Sequence, residues 1–92
     1  MIKSFKSKAL AELFNNGNPR KVQPKHVERL NMILTTLNAA THVGQMNAPG
    51  MHLHPLKGKP KGRYAVWVDE NYRVIFRFEA ADAVEVDYGD YH

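Results

Sequence analysis

The chain has 92 residues, 43% of them hydrophobic, no cysteine and a formal charge of +4. That length suits one domain, residues 1–92, built on one modest core. The missing cysteine removes disulfides, thiolate metal ligands and cysteine nucleophiles, and no run approaches the ~18–20 apolar residues that cross a bilayer.

The charged start, Met1 to Lys6, lacks a following apolar stretch, so no signal peptide is expected and a cytoplasmic protein is the economical reading. Charge is divided unevenly. Residues 1–63 hold eleven Lys/Arg against Glu12 and Glu28, a net +9; residues 64–92 hold Arg73 and Arg77 against seven acids, a net −5. One part of the surface should attract polyanions while another meets a basic partner.

Ile2 to Phe5 predicts a short opening strand. Ser7 then caps a helix carrying Ala9, Leu10, Leu13 and Phe14 on one side, stopped by Asn15-Asn16-Gly17-Asn18-Pro19. After the basic connector Arg20 to Gln23, Pro24 stands in the first turn of a second helix, where its missing N–H is harmless. Val27, Leu30, Ile33, Leu34 and Leu37 form its apolar stripe to about Ala40, a face that reads as core. From Thr41 to Gly50 the pattern dissolves into a loop.

The remainder alternates as strands do. Met51 and Leu53 alternate with His52 and His54, which should bring the two histidines to one face. Lys57-Gly58-Lys59-Pro60-Lys61-Gly62-Arg63 is a basic loop. Strands are expected at Tyr64–Val68, Tyr72–Phe78 and Ala83–Tyr88, joined by turns at Asp69-Glu70-Asn71 and Ala81-Asp82, with a bend at Gly89 before Asp90, Tyr91 and His92. Tyr72, Val74, Phe76 and Phe78 point one way; Arg73, Ile75 and Arg77 point the other. The expected fold class is α+β: two N-terminal helices packed on a small, mainly antiparallel β-sheet.

Arg73 is held on its strand by apolar neighbours on the opposite face, and a planar guanidinium suits the paired oxygens of a phosphate. Its structural alternative is an ion pair with Asp87 or Glu85. Arg77, on the same face, serves a second phosphate or a surface pair. His52 reads as structural. His54 opens onto the basic loop, and with His92 it offers two imidazoles that titrate near neutral pH and divide proton transfer. Tyr91 is either a stacking platform for a base or an apolar plug. A metal held by His52, His54, Asp90 and His92 is the competing reading; the surrounding Lys57, Lys59, Lys61 and Arg73 oppose it.

Four segments together carry a resemblance: Met1-Ile2-Lys3-Ser4-Phe5, Leu53-His54-Pro55-Leu56-Lys57-Gly58, Asn71-Tyr72-Arg73-Val74-Ile75-Phe76 and Asp90-Tyr91-His92. The chain resembles the HigB toxins of the RelE superfamily over nearly its whole length. That resemblance implies a microbial-ribonuclease-like fold and a metal-independent endoribonuclease that needs no cofactor and cuts messenger RNA on the translating ribosome. It implies a HigA-like helix-turn-helix antitoxin as partner, with operator DNA reached through the antitoxin. The site it implies is His54, Lys57, Arg73, Asp90, Tyr91 and His92, with Lys59, Lys61, Arg63 and Arg77 adding RNA contacts. Because RNA supplies its 2′-hydroxyl as nucleophile, such a protein needs no serine, cysteine or metal. A non-catalytic RNA-binding or co-repressor module remains the alternative, separated from the nuclease by scission in the presence of a chelator.

Overall fold

Ser7 starts the first helix by accepting the Leu10 amide on its hydroxyl at 3.2 Å. The computed structural model describes residues 1–58 and 61–90; of the site candidates, Lys59, Tyr91 and His92 lie outside the described residues. Helix α1 runs Lys8–Asn16 and stops at Gly17, whose φ of 65° turns its N–H back onto Glu12 and Leu13 carbonyls. A single tight turn, Pro24–His26, leads into helix α2, Val27–Ala39, with the proline at the helix entry as its fixed φ favours.

Four antiparallel strands follow in the order β1-β2-β3-β4: His54–Pro55, Arg63–Trp67, Tyr72–Glu79 and Asp82–Asp90. Strand alternation sorts their side chains. Val66, Val74, Phe76, Ala83 and Val86 join Leu10, Leu13, Leu30, Leu34 and Leu37 of the two helices in one buried cluster. Each large side chain removed from water there contributes ~1.5–3 kcal/mol. The other face, turned away from the helices, carries Arg63, Ala65 and Trp67 of β2 in register with Arg77, Ile75 and Arg73 of β3.

Three expectations change. The opening strand is reduced to two parallel bridges, Ile2 with Ala83 and Phe5 with Val86. Between them β4 bulges: Glu85 takes φ 54°, its amide goes to the Ser4 hydroxyl at 2.9 Å, and the β3–β4 register slips between Ile75 and Arg77. A bulged edge cannot present the even run of amides that a further ladder needs. Nor does the chain bend at Gly89. That residue pairs with Arg73 and Asp90 with Tyr72, so β4 continues to match the full length of β3. Within the expected 41–50 loop, a short helical turn, Val43–Met46, buries Met46 completely. A lone methionine carries no periodicity to announce this.

Candidate functional site

The outer face of the sheet is organised in cross-strand rows. His54, Ala65, Ile75 and Asp87 form one, and Trp67, Arg73 and Gly89 form the next. His54 on β1 and Arg73 on β3 therefore flank β2 on the same face, two strand spacings across and two residues along, or about 12 Å apart. Ala65 and Ile75 are buried between them, 0% and 3% exposed, and form a low apolar floor. Lys6, Arg63, Glu85 and Asp87 surround Ile75 and leave a cavity of about 70 Å³. Arg63 Nε is buried there with no hydrogen-bond partner among the described residues.

His54 has its tautomer set by the backbone. Its Nδ1 lies 2.8 Å from the His52 carbonyl, an atom that only accepts, so Nδ1 carries the proton and Nε2 keeps its lone pair when the ring is neutral. Lys57 is exposed at the start of the basic loop, whose neck is closed by the Leu56 N–H on the Arg63 carbonyl at 2.9 Å. Gly58 and Gly62, at φ 96° and 84°, occupy left-handed positions that other residues resist, and they turn the chain at either end of the loop. Lys61 is exposed on its return.

Arg73 is gripped by two backbone carbonyls and an aromatic ring. Its Nη1 donates to the Asp69 carbonyl at 2.6 Å and to its neighbour Tyr72 at 3.2 Å, while the guanidinium carbon lies 4.5 Å from the Trp67 ring centroid. Glu85, one cross-strand carboxylate open to it by sequence, is taken instead by Arg77, which also pairs with Glu79 at 3.0 Å. Arg77 is thus the outer-face cation most occupied with carboxylates. Asp90 sits in register with Tyr72, and strand alternation assigns it to the face of Tyr72 and Tyr88 rather than to that of Arg73.

Behind this face lies a network that reading the sequence missed. His26, 2% exposed, places Nε2 2.6 Å from an Asp69 carboxylate oxygen and Nδ1 2.6 Å from the Tyr88 hydroxyl, with the Tyr72 ring 4.8 Å from its own. Because a carboxylate accepts, Nε2 donates to it; the neutral ring then accepts the Tyr88 proton at Nδ1. The His26 hydrogen bond, followed by the amides of Tyr72 and Asn71, holds the Asp69 carboxyl well below the usual carboxylate range, against the opposing effect of burial. Burial pushes the Tyr88 phenol up. Asp69 accordingly does two things: its carboxylate ties the β2–β3 turn to the entry of α2, and its carbonyl seats Arg73. One signal was available. His26 stands four residues before Leu30 on the apolar stripe of α2, where a polar residue requires buried partners.

Arg29 was missed as well. Its guanidinium reaches the Gly50 carbonyl at 2.7 Å and the Trp67 carbonyl at 3.1 Å, so α2 fixes the chain entering β1 against the end of β2. Nor is His52 a simple surface residue. It takes φ 51° and lays its ring on Trp67, with centroids 3.9 Å apart and 21° between planes. It does reach the face of His54, as alternation predicts, but through a left-handed turn, because β1 begins only at His54.

A family profile described as the RelE-like toxin of type II toxin–antitoxin system HigB matches residues 3–92. The chain belongs to this family. It is 41% identical, over all 92 residues and the full length of both chains, to the Endoribonuclease HigB of Proteus vulgaris. As a HigB-like toxin it also shares its fold with solved structures. A copper-bound mutant toxin from Helicobacter pylori matches at TM-score 0.62 and 18% identity, over 99% of this chain and 96% of that one. The YoeB–YefM toxin–antitoxin complex of Staphylococcus aureus contains a chain matching at TM-score 0.62 and 14% identity, over 100% of this chain and 98% of that one. At such identities the structural likeness speaks for the architecture of two helices and a four-stranded antiparallel sheet. No helix among the described residues is long and apolar enough to cross a membrane.

Proposed function

We propose that this HigB-like chain acts as a single-domain, metal-independent endoribonuclease that cuts messenger RNA on translating ribosomes. One observation carries the reading: His54, with Nδ1 committed to a carbonyl and Nε2 the acceptor of the neutral ring, and Arg73, gripped by two carbonyls and an indole, share one sheet face across an apolar floor. The likeness to an endoribonuclease over the whole chain supports it.

In the proposed reaction His54 Nε2 takes the proton of a ribose 2′-hydroxyl, and the resulting oxygen attacks the adjacent phosphorus. The P–O5′ bond breaks and the leaving oxygen receives a proton from His92. The products are a 2′,3′-cyclic phosphate, or its 3′-phosphate after hydrolysis, and a 5′-hydroxyl. Arg73 and Lys57 stabilise the charge gathering on the non-bridging oxygens, which is greater in the transition state than in the substrate. Asp90, whose strand position puts it on the face away from His54 and Arg73, tunes the imidazole of its chain neighbour His92, and Tyr91 holds the nucleotide in line. Arg63, whose Nε is buried without a hydrogen-bond partner among the described residues, joins Lys57, Lys59 and Lys61 in contacting RNA phosphates, while Arg77, held by Glu85 and Glu79, contributes less. A protein this small gains orientation of its substrate from the ribosome, so part of the catalysis comes from proximity. A HigA-like helix-turn-helix antitoxin restrains it in the cytoplasm, and operator DNA is met through that partner.

The test is mapping of cut sites and end chemistry on programmed ribosomes with a chelator present. Scission yielding cyclic or 3′-phosphate ends is expected. Binding without scission would leave a non-catalytic module, and loss of scission with the chelator would return the metal reading.

A further inference from the structure

The cleavage chemistry leaves unused the stack built on Trp67, the chain's single tryptophan. Arg73 approaches this indole from β3, directly opposite in register. From the other side of β2, where the Trp67 backbone amide donates to the Met51 carbonyl at 2.8 Å, the chain delivers His52 onto the ring. Three constraints hold the imidazole there. Its backbone takes a left-handed angle disfavoured for residues with a side chain, its carbonyl is bound by His54 Nδ1–H, and Arg29 ties Gly50 to the Trp67 carbonyl. Yet His52 remains exposed. The result is a flat, preorganised ring, backed by an indole and open to solvent, one hydrogen bond from the proposed base.

We infer that the exposed face of His52 is a stacking site for an unpaired nucleobase of the RNA, on a nucleotide adjoining the cleaved phosphate. This inference rests on the ribonuclease reading and names a subsite of it. Every base offers a π-face, so such a site binds with little regard to sequence, and its worth shows as affinity rather than as base choice. The same backbone turn that presents the ring fixes the tautomer of His54. Base capture and proton transfer are therefore coupled through one residue.

The test uses the intrinsic fluorescence of Trp67. A short 2′-O-methyl oligonucleotide, which offers no free 2′-hydroxyl to react, is titrated into the full chain beside an abasic strand with the same phosphates. The base-bearing strand should quench Trp67 and bind about tenfold more tightly, the size of a single base–aromatic stack. His52→Asn retains the left-handed backbone that asparagine tolerates but removes the ring. It should bind both strands equally, whereas His52→Phe should restore the discrimination. In single-substrate kinetics on programmed ribosomes, His52→Asn should raise KM with little change in kcat. If His52 only braces the fold, His52→Asn would lower Tm and weaken both strands alike; that result overturns the inference, as does equal or absent binding of both strands by the unaltered chain. Absence of scission, with base discrimination intact, would instead overturn the ribonuclease reading.

Discussion

The two faces of the sheet use the same strands to opposite ends. On the inner face Val66, Val74, Phe76 and Val86 are fully buried against the helices, and His26, the one buried polar residue among the described residues, has partners on both ring nitrogens. On the outer face the buried residues are Ala65 and Ile75, with Val84 beside Arg77, beneath the longer side chains of Arg63, Trp67, Arg73 and Arg77. Inner-face polarity is satisfied within the protein. Outer-face polarity is held in position with part of its capacity unspent among the described residues: Arg63 Nε is buried without a partner, Arg73 is anchored by carbonyls and an indole, and His54 is oriented through Nδ1. A face built to stabilise consumes its hydrogen bonds, whereas a face built to react keeps some free.

That contrast breaks most readily at Arg73 and His54. Arg73→Ala should cut kcat about 10²–10³-fold, as removal of a preorganised charge-stabilising donor does. Arg73→Lys should recover little, because an ammonium cannot reproduce the planar grip or the indole contact. His54→Ala should cost about 10²–10⁴-fold. Both alanine variants should melt close to the unaltered chain. Single-turnover cleavage on programmed ribosomes, paired with thermal denaturation, checks this, and normal rates for both would remove the outer face as the site.

The inner face should answer in the other currency. Phe76→Ala leaves a cavity in a residue with no exposed surface and should cost about 3–5 kcal/mol by urea denaturation. Any loss of activity should then track the fraction unfolded. A Phe76→Ala protein that is stable but slow would mean that the two faces are not separable.

Asp69 joins the faces, and pH probes the joint. Its carboxyl is depressed in the folded chain from an ordinary value of 3.8, so its contribution to stability is fully present above that value and is lost as pH falls through it toward the folded one. Urea midpoints should therefore drop as pH is lowered from about 5 to 3. Asp69→Asn, which retains an acceptor for His26 but no charge, should flatten that part of the profile. Parallel profiles for the two proteins would show that His26 and the turn amides do not draw on the negative charge.

Much of this arrangement was legible in the residues, for reasons that are local. Leu30, Leu34 and Leu37 repeat at the helical period, Ser7 and Gly17 are cap chemistry, and Tyr72 to Phe78 alternates cleanly, so helices, strands and their faces could be read directly. Arg73 could be nominated because strand alternation decides which face it joins, and His54 because it opens onto the basic loop. What escaped was long-range pairing. Asp69 looked like a turn residue, and nothing near it says that His26, forty-three positions earlier, will meet its carboxylate. The opening strand failed because its fate depended on a bulge at Glu85, and the supposed bend at Gly89 failed because Arg73 was there to pair with it.

The smallest predicted effect separates two kinds of cation within the outer face itself. Lys57 and Lys61 are exposed on the basic loop, while Arg77 is engaged by Glu85 and Glu79, an arrangement that holds its guanidinium firmly protonated. To grip a phosphate, Arg77 must release carboxylates, and those carboxylates then face the incoming anion. Lys57→Ala and Lys61→Ala should each lower the slope of log affinity against log salt by about 1, as loss of one phosphate contact does. Arg77→Ala removes a cation but frees Glu85 and Glu79, so its slope should fall by clearly less while overall affinity declines slightly through repulsion. A full unit lost with Arg77→Ala would mean that the ion pairs open when RNA arrives, and that the cavity bordered by Arg63 and Glu85 is part of the path the strand follows.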